Sequence, residues 1–326
     1  MVPFSNPIWG KSTLPFTRER DKLQKVATGD DYDSLLKRFL SSQDIKPKSR
    51  DTYSWAMTQY FRWIAETARD LKSLTPADIV SFKSHLLEKG LSQLTVSAYL
   101  TAVRQFYNWT EICLLYPNIA RSVRAPRGKK GFKKMHLSPL QAGKLLEYLK
   151  TRSARDYALV NLILRTGLRT IEVSRADIGD ITVKKGRRVL KVWGKGLNEK
   201  DNIVILNEPV WIPIRDYLEG RVEKNDDQPL FVTDGKGHRG CRMSARLIQH
   251  TCKEAMRAIG LEGHEYSPHS LRHTTAVTIL RSGGDWKDVQ RVLRHSSPTV
   301  SQIYTASIED EVHLEKNPEG LLDTAF

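Results

Sequence analysis

Six polar residues in the second half of the chain constrain its fold more than any other feature. Each lies in a short local motif, and the five motifs are spread over residues 169–304 of the chain. They can act together only if the fold brings them to one place, around the single tyrosine of the set. The six residues are Arg169, Lys195, His269, Arg272, His295 and Tyr304.

These residue types suit the transfer of a phosphoryl group to a phenolic nucleophile. A planar guanidinium that stays protonated can bind the non-bridging oxygens of a phosphodiester, so two arginines form a clamp. Tyrosine can attack phosphorus and hold it covalently, and a lysine on a turn can protonate the leaving 5′-oxygen. Histidine can donate a hydrogen bond to the phosphate or relay the proton of the tyrosine. None of these steps requires a metal ion, so we expect neither a metal nor a cofactor.

The motifs around the six residues occur in a specific order. Residues 166–169 read Thr-Gly-Leu-Arg, residues 194–196 read Gly-Lys-Gly and residues 269–272 read His-Ser-Leu-Arg, and a second histidine and the tyrosine follow. At these positions the chain resembles the tyrosine recombinase family, which includes the phage integrases and the Xer-type recombinases, and the resemblance spans residues 31–306. Glu172 matches the acidic residue that commonly follows the first arginine of that family by three positions.

Each motif is common when taken alone. An arginine after Thr-Gly-Leu is usually a surface residue of a helix, Gly-Lys-Gly turns occur in many hairpins, and a lone tyrosine is usually a packing residue. The specific observation is that all six occur in the order of the family. The chain departs from the family at Arg294, since glycine usually precedes the second histidine. This difference bears on the local backbone geometry or on a phosphate contact.

The resemblance implies a site-specific recombinase, or integrase, that cleaves and rejoins duplex DNA. Tyr304 would attack the scissile phosphate and form a 3′-phosphotyrosine. Arg169 and Arg272 would bind the non-bridging oxygens, and Lys195 would protonate the leaving 5′-hydroxyl. The reaction would pass through a Holliday junction and would need no energy cofactor.

Three further residues would support this reaction by resemblance. His269 would handle protons, His295 would steady the phosphate and Glu172 would orient a catalytic neighbour. The family also implies a homotetramer on two DNA sites, with a monomer or dimer in the absence of DNA. Accessory DNA-bending proteins are further expected partners.

Two other functions would use similar surfaces. A type IB topoisomerase would use a closely similar set of residues to relax supercoils as a monomer, but the context of His295 and the acidic tail favour a recombinase. A non-catalytic DNA-binding regulator would need the basic surfaces without the full set of six residues. Relaxation of DNA without a defined site would identify the topoisomerase.

The balance of charge indicates a polyanionic partner. The chain has 52 lysines and arginines against 37 aspartates and glutamates, a formal net charge of +15, which favours double-stranded DNA. The three cysteines form no Cys-x-x-Cys pair, which is typical of a reducing cytosol, and the spacing of His238, Cys241, His250 and Cys252 fits no standard zinc pattern. The first ten residues contain no apolar run long enough for a signal or a membrane anchor. We therefore expect a cytoplasmic protein that associates with the nucleoid when it acts.

The chain of 326 residues is of a natural length for two domains. We expect a mainly α fold with a small antiparallel β-sheet, arranged as a two-domain clamp around DNA. Residues 1–30 form an N-terminal arm, residues 31–118 a helical core-binding domain of the SAM-like type, and residues 119–136 a basic linker. Residues 137–306 form the catalytic domain, and residues 307–326 an acidic tail that can dock on a neighbouring protomer.

Local patterns predict the elements of both domains. In the first domain, apolar residues at helical spacing predict a bundle of four helices, and Thr75-Pro76 is a helix start. In the second, Ser138-Pro139 is another helix start, and Lys195 lies on the turn between the last two strands of a small sheet. The predicted strands are residues 181–183, 189–193 and 203–206, and the predicted helices include residues 156–165, 209–218, 244–259, 269–282, 286–293 and 298–305.

The linker is the most basic stretch of the chain. No acidic residue occurs between Ile112 and Leu146, so this stretch is suited to cross the phosphate backbone of DNA. The expected DNA contacts, in the linker and the first domain, are Arg50, Arg104, Arg121, Arg124, Arg127, Lys129, Lys130, Lys133 and Lys134.

Overall fold

The computed structural model describes residues 32–126, 135–194, 200–235 and 237–295, together with residues 297, 298, 302 and 308. The chain divides into two compact units, Met1–Lys130 and Gly131–Phe326. The described part of the first unit is helical, and that of the second contains helices and one small sheet. The predicted fold class, mainly α with a small antiparallel sheet, is confirmed. Within these ranges, no helix has the length and apolar character needed to cross a membrane.

Four α-helices make up the described part of the first unit, as predicted. They are α1 (Tyr32–Ser42), α2 (Pro47–Glu66), α3 (Pro76–Glu88) and α4 (Gln93–Ile112), with a short 3₁₀ turn at Leu71–Ser73. The start of α3 shows why these boundaries could be predicted. The backbone N–H of Thr75 donates a hydrogen bond of 2.7 Å to the carboxylate of Asp78, which completes a capping box.

The inner faces of these helices form a core rich in aromatic side chains. Phe106 packs edge-to-face against Phe39 and Phe61, with ring centroids 5.6 and 5.5 Å apart. The buried hydroxyls of Tyr60 and Tyr107 share a hydrogen bond of 2.8 Å, and burial raises the pKa of both phenols. Burial of one large apolar side chain stabilises a fold by about 1.5–3 kcal/mol. The predicted apolar stripes of the four helices therefore stabilise the first unit by packing into this core.

The second unit contains seven α-helices and three strands in its described part. The helices are α5 (Pro139–Lys150), α6 (Ala154–Thr166), α7 (Thr170–Ser174), α8 (Glu208–Glu219), α9 (Ala245–Ala258), α10 (Pro268–Arg281) and α11 (Trp286–Leu293). The strands are β1 (Ile181–Lys184), β2 (Arg187–Val192) and β3 (Asn202–Ile205). The predicted helices up to Leu293 begin and end within two residues of these bounds. The helix predicted over residues 298–305 lies mostly outside the described residues.

The strands form an antiparallel sheet in the order β1-β2-β3. Ile181 of β1 lies opposite Leu190 of β2, and Leu190 also lies opposite Val204 of β3. Leu190, Val192 and Val204 enter the core of the unit, which explains the apolar pattern that predicted the strands. The predicted sheet is confirmed, and the turn that carries residue 195 lies outside the described residues.

Gly167 lies where three helices that carry or adjoin candidate site residues meet. α6 ends at Gly167, which has a left-handed backbone with φ of 62°, and a Cβ there would collide with the side chain of Leu293 at the end of α11. The hydroxyl of Thr275 in α10 donates a hydrogen bond of 2.8 Å to the carbonyl of Leu164 in α6. The ends of α6 and α11 therefore meet beside α10.

Candidate active site

The structure places some of the predicted site residues and leaves others outside the described part of the chain. Lys195 and Tyr304 lie outside the described residues. The predicted site residues that are described are Arg169, Glu172, His269, Arg272 and His295.

Arg169 and Glu172 form a tight pair at the start of α7. The backbone N–H of Arg169 donates to Oε2 of Glu172 at 2.6 Å, and the Nη1 of Arg169 donates to Oε1 at 3.0 Å. The Glu172 side chain is only 7% exposed, whereas that of Arg169 is 30% exposed. One buried carboxylate thus fixes both the backbone and the guanidinium of Arg169 and leaves part of the guanidinium open to a ligand.

Arg272 is buried in the first turns of α10. Its Nη1 donates to the carbonyl of Gly167 and its Nη2 donates to the carbonyl of Leu293. These two carbonyls end α6 and α11, and such carbonyls lack partners within their own helices and carry partial negative charge. Arg272 therefore joins two helix ends, and its orientation is set before any ligand binds.

His269 and His295 lie close to the arginines. His269 is exposed in the first turn of α10, three residues before Arg272, so the two share one helix face. His295 follows α11, and its backbone N–H donates to the carbonyl of Gln290 at 3.1 Å. Burial and the neighbouring positive charges lower the pKa of His295 to about 4, so the imidazole is neutral near pH 7.

Arg294 is a further residue of this cluster, which the sequence identified only as a departure from the family pattern. Its backbone is left-handed, with φ of 54° and ψ of 47°, so the chain keeps a conformation that favours glycine. Its Nη2 lies 3.3 Å from Oε2 of Glu172, and its Nη1 donates to the carbonyl of Val292 at 2.7 Å. Burial lowers the pKa of the guanidinium.

Positive charge converges on His295 from three helices. After burial, the groups that lower its pKa are, in order, Arg272, Arg169, Arg294 and His269. They come from α10, the start of α7 and the end of α11. A preorganised group of donors of this kind stabilises an anion without reorganisation, and it does so more strongly away from bulk water. The described part of the site is thus suited to bind a phosphate.

The described residues contain no group of three or more His, Cys, Asp or Glu side chains that could hold a metal ion. Cys241 is exposed and Cys252 is fully buried, and both are free thiols. Burial raises the pKa of the Cys252 thiol to about 12, which disfavours the thiolate that binds zinc.

Four of the expected DNA contacts lie in the described part of the first unit. Arg50 and Arg124 are exposed. Arg121 is exposed but pairs with Glu111 at 2.6 Å, and Arg104 donates to the carbonyl of Val123 within its own unit. The five others, Arg127, Lys129, Lys130, Lys133 and Lys134, lie outside the described residues.

Comparison with known proteins matches both units. Residues 136–311 match the phage integrase family, and residues 34–112 match the N-terminal SAM-like domain of phage integrases. The tyrosine recombinase XerC of Corynebacterium glutamicum is 30% identical over 248 residues, which cover 74% of this chain and 77% of that protein.

Two solved structures share the fold. A XerH site-specific recombinase bound to a palindromic difH substrate aligns over 93% of this chain and 94% of that chain, with a TM-score of 0.68 and 20% identity. A lambda integrase dimer bound to a COC′ core site aligns over 82% of this chain and 96% of that chain, with a TM-score of 0.66 and 16% identity. The chain belongs to the phage integrase family and is a site-specific tyrosine recombinase, an enzyme that cleaves and rejoins DNA.

Proposed function

We propose that the enzyme recombines double-stranded DNA in two strand exchanges, through a 3′-phosphotyrosine at Tyr304 and a Holliday junction. The observation that carries this proposal is the convergence of Arg272, Arg169 and Arg294 on the neutral His295. A phosphodiester in the course of exchange gains negative charge, and fixed cationic donors stabilise that charge. The complete order of family motifs around this cluster supports the same reaction.

Each residue has one role in the proposed mechanism. Arg169 and Arg272 bind the non-bridging oxygens, and Tyr304 attacks phosphorus. Lys195 protonates the 5′-oxygen of the cleaved strand, so that it leaves phosphorus as a 5′-hydroxyl. His269 moves the tyrosine proton.

The two remaining residues hold the phosphate and its ligands. His295 donates a hydrogen bond to a phosphate oxygen as a neutral imidazole, which its lowered pKa supports. Glu172 orients Arg169 through the two hydrogen bonds described above. Because Glu172 and Arg169 are held by contacts within the unit, this pair needs little rearrangement when DNA arrives.

The partner in this proposal is duplex DNA. The net charge of +15 and the DNA sites bound by XerH and lambda integrase in their solved structures support it. The backbone contacts would come from Arg50, Arg104, Arg121, Arg124, Arg127, Lys129, Lys130, Lys133 and Lys134.

We further propose the assembly and location that the family pattern implies. Residues 31–118 form the core-binding domain, residues 119–136 the linker and residues 137–306 the catalytic domain. Residues 307–326 dock on a neighbouring protomer of a tetramer on two DNA sites. The enzyme acts on DNA in the cytoplasm, in association with the nucleoid, and serves a mobile element.

A suicide substrate tests the nucleophile. Duplexes that bind tightly are selected from a random pool, and a series of nicks is placed 3′ of each candidate scissile phosphate. Cleavage then releases a short strand and traps the covalent protein–DNA adduct. We expect Tyr304→Phe to bind DNA as the wild type does and to form no adduct.

Tyr266→Phe is the matched control. Tyr266 is partly buried against the core of the second unit, and we expect this variant to form adducts at the wild-type rate. Adducts that persist with Tyr304→Phe and vanish with Tyr266→Phe would move the nucleophile to Tyr266 and refute the proposed role of Tyr304.

A further inference from the structure

The carboxylate of Glu172 contacts two arginines, not one. Arg169 reaches it from its own helix turn at 3.0 Å, and Arg294 reaches it from the end of α11 at 3.3 Å. Glu172 and Arg294 are both almost fully buried, with side chains 7% and 9% exposed. An ion pair in such surroundings is weakly screened by solvent, so each charge strongly affects the other.

The second arginine changes the charge that the site offers to a phosphate. With Arg169 alone, the carboxylate would neutralise the guanidinium that must bind the non-bridging oxygens. With Arg294 present, two guanidiniums share one carboxylate, and the group keeps a net positive charge. Arg272 adds another positive charge, and its guanidinium donates to the carbonyls of Gly167 and Leu293.

Arg294 occupies its position at a cost. A residue with a side chain is strained at φ of 54°, and the Nε of Arg294 is buried with no hydrogen-bond acceptor among the described residues. Both costs would disappear with glycine, the residue that the family pattern has at this position. Strain and unsatisfied polar atoms of this kind persist mainly where they serve a function.

We propose that Arg294 is a positioning residue of the recombination site. Its guanidinium balances the charge of Glu172 and holds the carboxylate in place, so that Arg169 keeps both its orientation and its charge for the scissile phosphate. This inference rests on the proposed function, because it deepens the role of Arg169 in phosphate binding. It gives Arg294 a role in this chain that a glycine at the same position does not supply.

The test compares Arg294→Gly with Arg294→Lys on the suicide substrate in single turnover at saturating enzyme. Glycine suits the backbone but removes the charge, whereas lysine keeps the charge with fewer donors. We expect Arg294→Gly to form the adduct about 10–100-fold more slowly, as is typical when a positioning contact is lost, with unchanged DNA affinity. Arg294→Lys should recover most of the rate.

Two further measurements separate positioning from a general structural role. In a Glu172→Gln background, Arg294→Gly should change the rate little, because the charge to be balanced is gone. Titration of His295 by NMR should show a higher pKa in Arg294→Gly than in the wild type, since one neighbouring positive charge is removed, and a wild-type value in Arg294→Lys. Melting curves confirm that each variant is folded.

The outcomes are distinguishable from failure of the proposed function. If the wild type forms no adduct on any selected duplex, the proposed function fails. The His295 titration still shows in that case whether the positive charge of Arg294 acts on the site. If the wild type forms the adduct and Arg294→Gly does so at the same rate, the inference is wrong. An equal loss in the wild-type and Glu172→Gln backgrounds also overturns it, because Arg294 would then act without Glu172.

Discussion

Replacement of Gly167 by alanine is expected both to destabilise the second unit and to displace residues of the candidate active site. The glycine has φ of 62°, and a Cβ there would collide with the side chain of Leu293. Leu293 is fully buried against Ala276 and Val289, so it cannot move aside freely. The carbonyl of Gly167 also accepts a hydrogen bond from Arg272, so any shift of the backbone there moves one of the two arginines proposed to bind the phosphate.

The magnitude follows from two separate costs. A left-handed backbone costs an alanine about 1–2 kcal/mol, and overpacking of a core costs about 1–3 kcal/mol. We expect Gly167→Ala to lower the free energy of unfolding by about 2–4 kcal/mol, since some relaxation is available. Cleavage should slow by about 10²-fold, because small displacements of a positioned group have effects of that size.

Two other glycines of the same unit provide matched controls. Gly260 has φ of 82° and no atom within 4 Å of the place that a Cβ would take, and Gly143 lies in α5 with neither constraint. Gly260→Ala should cost about 1–2 kcal/mol, from the backbone alone, whereas Gly143→Ala should stabilise its helix by about 0.5–1 kcal/mol. Neither should change the cleavage rate.

Amide hydrogen exchange of the full chain measures these effects locally, because the protection of α6, α10 and α11 reports on the stability of the second unit separately from that of the first.

A double variant isolates the contribution of the collision between the new Cβ and Leu293. Leu293→Ala alone should cost about 2–5 kcal/mol, and it should cost clearly less when Gly167→Ala is already present. Equal losses for Gly167→Ala and Gly260→Ala, or additive effects in the double variant, would refute the reasoning.

Three further predictions concern the acid, the linker and His295. Lys195→Ala should slow cleavage by about 10²–10⁴-fold. A substrate with a 5′-bridging phosphorothiolate should restore the rate, because its leaving group needs no proton. If DNA binding is normal and the rate does not recover, Lys195 is not the acid. Neutralising the four linker lysines should weaken binding to all DNA sequences about equally and flatten the salt dependence of the affinity. A loss confined to the cognate site would argue against contacts with the DNA backbone. The four are Lys129, Lys130, Lys133 and Lys134. The folded-state pKa of His295 lies below its ordinary value of 6.5, at about 4, so the unfolded chain binds the proton first and stability should fall as the pH drops through that interval. His295→Asn should flatten this part of the pH profile of the urea midpoint, and an unchanged profile would show that the imidazole does not titrate in this way.

Local chemistry explains how much of the fold could be predicted from the sequence. Caps, prolines and glycines act on neighbouring residues, so Thr75, Ser138 and Gly167 mark helix ends in the sequence and in the structure alike. The short apolar runs of β2 and β3 likewise predict strands, and Leu190, Val192 and Val204 within them enter the core. The residue types of the proposed site have a different origin, because phosphoryl transfer restricts them to a few side chains whatever the fold.

The tertiary structure decided what depends on contacts between distant segments. Arg272 was predicted from its motif, but its acceptors, the carbonyls of Gly167 and Leu293, are known only once α6, α10 and α11 have packed. The neutral state of His295 depends on burial and on charges from three helices, and no local pattern encodes their sum. Arg294 shows the difference most clearly. In the sequence it is a departure from a glycine, whereas in the structure it is a buried partner of Glu172, because electrostatic interactions act through space and depend on which groups the fold removes from water.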